Sequence, residues 1–124
     1  MDRSHKTWGE RWLIWHNDTA EMSVLYLHDG ERCSWHKHET KFNLFFVVDG
    51  EIDIKTEWGN AKVESGQTFT TRPGEWHEFR TPNGPATVIE VMYVQYDPND
   101  IQRELIGGKI SVDESEERIG ELED

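Results

Sequence analysis

Between residues 11 and 96 the apolar positions fall in short runs, many with a period of two. Turn residues interrupt them every eight to twelve positions. That pattern predicts β-strands joined by turns. Arg11-Trp12-Leu13-Ile14-Trp15-His16 reads as a first strand, and 22–28 as a second with apolar residues on both faces. Residues 30–50 open with a strand carrying His36 and His38. Side chains two apart on an extended strand point the same way. Asn43 then leads the apolar run 44–48, and Asp49-Gly50 reads as a hairpin turn into 51–56. Shorter strands are predicted over 61–64, 67–71 and 75–80, and a long β-branched and aromatic one over 86–96. So many short strands predict an all-β sandwich or barrel. One helix is predicted over 97–105, with Asp97 as N-cap and Pro98 at the first helical position, stopped by Gly107-Gly108. The chain thus divides into an extended arm (1–10), a single barrel domain (11–106) and an acidic flexible tail (107–124).

Composition narrows the function. The 124 residues suffice for one modest core, which six Trp, five Phe and three Tyr make aromatic-rich. The net charge of −12 argues against nucleic acid, which needs clustered Lys and Arg, and against an anionic membrane surface. Half of that charge sits in 113–124, where seven carboxylates face Arg118 alone, a net −6. No apolar run approaches a membrane span, and the first ten residues do not read as a signal peptide. The single cysteine, Cys33, fits a reducing compartment and reads as a small packed residue. A cytoplasmic location is expected.

The candidate chemistry lies in two stretches. Gly30, His36, His38, Asn43 and Gly50 follow the spacing of the first motif of the cupin superfamily, with Asn43 where the motif has Glu. Gly66, Gly74 and His77 follow the second motif, with Arg72 in the place of its Pro and Thr81 in the place of its Asn. The chain therefore resembles a small cupin, a double-stranded β-helix or jelly-roll barrel. The resemblance implies one divalent transition metal (zinc, manganese, nickel or iron) on His36, His38 and His77, with Asn43 in the fourth place. An amide oxygen is a weaker ligand than a carboxylate and leaves the site one charge more positive.

A narrower resemblance runs through Lys6-Thr7-Trp8-Gly9, Val88-Ile89-Glu90-Val91 and Asp100-Ile101-Gln102-Arg103, which are similar to segments of type II phosphomannose isomerase cupin domains. It implies a metal-dependent isomerase or epimerase acting on a sugar phosphate, with Glu90 or Glu75 as the base. The histidine cluster departs from that family, which has an Arg and a Glu close behind its histidines. Two alternatives therefore stand beside it: a non-catalytic module binding a sugar or other small molecule, and a three-histidine iron dioxygenase. The aromatic first strand, Trp12 to Trp15, is expected to support a homodimer through strand edges.

Overall fold

The computed structural model describes residues 2–94, 99–101, 103–104 and 107–110. Among these residues the strands are β1 (Asp2–Lys6), β2 (Gly9–His16), β3 (Ala20–Leu27), β4 (Phe42–Asp49), β5 (Glu51–Thr56), β6 (Gly59–Glu64), β7 (Thr68–Thr71), β8 (His77–Arg80) and β9 (Ala86–Tyr93). A six-stranded sheet has the order β1-β2-β3-β9-β4-β7, and a three-stranded sheet the order β6-β5-β8. All pairings are antiparallel. The fold is an all-β barrel of two antiparallel sheets, as the strand pattern predicts.

Alternation sets the core. Leu25 and Leu27 on β3, Phe45 and Val47 on β4, and Val88 on β9 face Ile52 and Ile54 on β5 and Phe79 on β8, all buried. Burying side chains of this size stabilises by roughly 1.5–3 kcal/mol each. The intervening positions of the large sheet are also apolar: Met22, Val24 and Tyr26 on β3, Ile89, Val91 and Tyr93 on β9, Phe42, Leu44 and Phe46 on β4. The three central strands thus carry apolar side chains on both faces.

Four expectations change. Residues 2–6, read as an arm, form β1, paired with β2 from Asp2↔Leu13 to Lys6↔Gly9. That pairing occupies the edge of β2 from Gly9 to Leu13, so Trp12 and Leu13 of the aromatic first strand have no free edge. Asp49-Gly50 is not a hairpin turn. β4 pairs with β7 and β9, and β5 with β6 and β8, so this corner carries the chain from one sheet to the other. Gly50 takes φ 81°, and a Cβ there would stand 2.6 Å from the Pro85 carbonyl oxygen. The histidine segment is not a strand either. It pairs with β8 through isolated bridges, Arg32↔Arg80 and His36↔His77. The helix expected over 97–105 falls partly outside the described residues; those described within it form no helix. Residues 111–124 of the tail also lie outside them.

Candidate metal centre

His77 opens β8, and the bridge to His36 holds the histidine segment against it: the His36 N–H donates to the His77 carbonyl at 3.1 Å, and the His77 N–H to the His36 carbonyl at 2.8 Å. His38 joins them, its own carbonyl accepting from the Gly74 N–H at 2.7 Å. One ring nitrogen from each of His36, His38 and His77 lies within 4.8 Å of the others, the spacing of a facial imidazole set. The His36 and His77 ring centroids are 4.5 Å apart.

The tautomers follow from local hydrogen bonds. His36 Nδ1 lies 2.7 Å from the Ser34 carbonyl, and His77 Nδ1 lies 3.0 Å from the Glu75 carbonyl. A carbonyl only accepts, so Nδ1 carries the proton in each and Nε2 keeps its lone pair. Burial, reinforced by the neighbouring histidines, lowers the pKa of His77 and of His38, which favours the neutral imidazole that binds metal.

Asn43, on β4, is 1% exposed. Its Nδ2 donates to Glu90 Oε2 at 3.2 Å, and among the described residues its Oδ1 is buried without a partner. His38 Nε2 and His77 Nε2 are orphaned in the same way. Buried polar atoms normally find partners; Asn43 Oδ1 and His77 Nε2 hold free lone pairs, and all three atoms belong to residues of one proposed ligand set. The donor chemistry fits a transition metal.

A cavity of about 570 Å³ opens over the site, with His36, His38, Glu90 and Cys33 in its lining and Trp8, Phe79 and Met92 as its apolar wall. Glu90 faces inward on β9, 9% exposed. Burial pushes its carboxyl up to about 7, helped by the Glu21 charge and opposed by Arg11 and Lys41. Cys33 accepts from the Phe79 N–H at 3.2 Å. Burial first, then the Glu78 and Glu90 charges, push its thiol up to about 12, so it sits there as a packed thiol and not as a nucleophile.

Glu75 is placed differently. Its carboxylate accepts from the Arg72 N–H at 2.7 Å, away from the cavity lining, and it serves His77 through its backbone. Trp35 and Trp76 flank the bridged histidines, but their rings stack on each other at 6.1 Å outside the cavity lining. Sequence reasoning missed Trp8 in the cavity wall; its place in the Lys6–Gly9 turn was the only signal.

The cupin domain family matches residues 15–92. No curated protein matches the chain. Among solved structures, KdgF from Halomonas sp. superposes with a TM-score of 0.69 at 16% identity, over 77% of this chain and 90% of that one. An RmlC-like cupin from Shewanella frigidimarina gives 0.68 at 17% identity, over 76% and 84%. The cupin domain of Schizosaccharomyces pombe Cnp3 gives 0.68 at only 7% identity, over 77% and 69%. At these identities the structures speak for the fold, and the family match covers most of the barrel: the chain belongs to the cupin family.

Proposed function

We propose that this cupin holds one divalent transition metal on His36, His38 and His77, with the Asn43 amide oxygen as fourth ligand, and acts on a small polar molecule in the cavity above it. The observation that carries the reading is the convergence of three imidazole nitrogens within 4.8 Å, with His38 and His77 each offering a buried ring nitrogen that has no partner among the described residues. A bound metal would supply Lewis acidity toward a substrate oxygen. The protein's own contribution is Glu90. Its carboxyl lines the cavity, is tied to Asn43 and, before any metal binds, is pushed up to about 7 by burial. A carboxyl in that range can give or take a proton near neutral pH. This favours an isomerase or epimerase that moves a proton beside a carbonyl, with a sugar phosphate as the substrate class and Glu90 as the base. Glu75 has no part in this reading.

Elemental analysis of the full chain, purified without added metal or chelator, tests the site. About one equivalent of zinc, manganese, nickel or iron is expected, and it should vanish in the His36→Ala/His77→Ala variant. A full equivalent kept by that variant would place the metal elsewhere. Deuterium uptake from D₂O into a sugar phosphate, lost in Glu90→Gln, tests the chemistry. Ligand binding without exchange supports the non-catalytic alternative. Oxygen consumption by the iron-loaded protein alone supports a dioxygenase.

We also assign the outer face of the large sheet to a second copy of the chain. β2, β3, β9 and β4 offer a surface about 19 Å by 23 Å, from strand spacing and rise, so two copies would bury about 900 Å² before side-chain relief is counted. That approaches the ~1,200 Å² at the lower end of stable interfaces. The outward side chains of β3, β9 and β4 between positions 22–26, 89–93 and 42–46 include no charge, and the charges of this face, Glu10 and the Arg3 that covers Trp12, lie at its β1–β2 side. The unpaired buried thiol of Cys33 suits a cytoplasmic setting.

A further inference from the structure

The turn between β1 and β2 is pinned beside the mouth of the cavity. The Trp8 ring meets Phe79 edge-on, centroids 5.1 Å apart, and the His28 N–H donates to the Trp8 carbonyl at 2.8 Å. Gly9 lies so close to β3 that a Cβ there would stand 1.9 Å from the Tyr26 carbonyl oxygen. Lys6, the last residue of β1, is thereby held in the cavity lining.

Its charge is uncommitted. Among the described residues Lys6 makes no ion pair, although the chain carries 25 acidic residues against 13 Lys and Arg. The neighbouring His5 is held 3.4 Å from Glu10. The carboxyl that lines the cavity, Glu90, already accepts from Asn43. Three imidazoles and an amide oxygen neutralise none of a dication's charge. The loaded cavity would then present two positive centres, the metal and Lys6, within one space of about 570 Å³.

We propose that Lys6 recognises an oxyanion, so that the cavity's ligand carries a carboxylate or phosphate beside the oxygen that meets the metal. Lysine is a compact point charge on a flexible stem, suited to a terminal oxyanion. The inference rests on the metal reading given above.

The test uses the full chain loaded with cobalt(II), whose visible spectrum reports ligands reaching the metal. Three probes are titrated: lactate, its uncharged counterpart propane-1,2-diol, and inorganic phosphate. Lactate or phosphate should shift the spectrum at lower concentration than the diol. Lys6→Met should weaken the anion about tenfold, the usual size for loss of a charged hydrogen bond, with cobalt affinity and the diol response unchanged. Lys6→Arg should restore most of the loss. The anion that shows the dependence identifies the group recognised. Equal anion binding by wild type and Lys6→Met, or equal weakening of the diol, overturns the role of Lys6 while the metal site stands. Failure of the wild type to take up cobalt overturns the metal reading and this inference with it.

Discussion

Glu90 has the most consequential environment of any single side chain here. Its carboxyl moves from an ordinary 4.5 up to about 7 because burial disfavours the charged form. The folded protein therefore holds this proton more tightly than the unfolded chain. Its contribution to stability is whole below pH 4.5 and is lost as pH rises through about 7. The full loss is roughly 3–4 kcal/mol, from the 2.5-unit difference at about 1.4 kcal/mol per unit. His38 and His77 act with the opposite sign. Their folded pKa values lie below the ordinary 6.5, so they cost stability as pH falls through that value. Comparing wild type with Glu90→Gln separates the two. In urea unfolding of metal-free protein at pH 5 and pH 8, the variant should gain stability relative to wild type at the higher pH. A difference that does not change with pH would mean that Glu90 is ionised in the fold.

Two glycines show why particular segments run where they do. Gly9 takes φ 148°, and a side chain there would collide with β3 backbone. Gly9→Ala is expected to destabilise by roughly 2–3 kcal/mol, read from the urea midpoint at unchanged m-value. It should also weaken the lactate response of the cobalt form, because the β1–β2 turn carries Lys6. Gly50 does the same at the corner between sheets, against Pro85 and Ala86. The histidine segment is held by fewer bonds. Besides the paired His36–His77 bonds, the Cys33 N–H donates to the Phe79 carbonyl at 3.1 Å, and Gly74 ties to His38. Metal binding to three residues of two weakly joined segments should add stability by linkage, seen as a rise in Tm with added cobalt that the His36→Ala/His77→Ala variant lacks.

The assembled barrel leaves one broad face, apolar across β3, β9 and β4, in contact with water. Half-buried residues such as Val24, Ile89, Val91 and Leu44 line it, with Tyr26 40% and Trp15 51% exposed. Exposed apolar patches of this breadth mark interaction sites. Val91 lies on the central strand of that face, between Met22 and Leu44. Val91→Lys should convert a dimer into a monomer in sedimentation or light scattering, with metal stoichiometry unchanged. A wild-type monomer at high concentration, or a dimer that tolerates Val91→Lys, would take the interface away from this face. Among the described residues, no helix is long and apolar enough to cross a membrane.

Strand content, most turn positions and the three histidines were legible in the linear order of residues. Alternation is local, and the motif spacing counts residues along one chain. The core positions of β5 were legible for the same reason, since Ile52 and Ile54 alternate with charged neighbours. Three things waited on the packed molecule. β9 has apolar residues on both faces, so alternation could not say which way Glu90 points; pairing with β3 and β4 turns it inward, opposite Ser23 and Phe45. A strand and an irregular segment held by two bridges look alike in sequence, because the difference lies in which distant backbone accepts each N–H. Lys6 and Trp8 join the histidines only because β1 folds back along β2 and the turn between them docks on Phe79. These are long-range contacts, and local pattern carries no record of them.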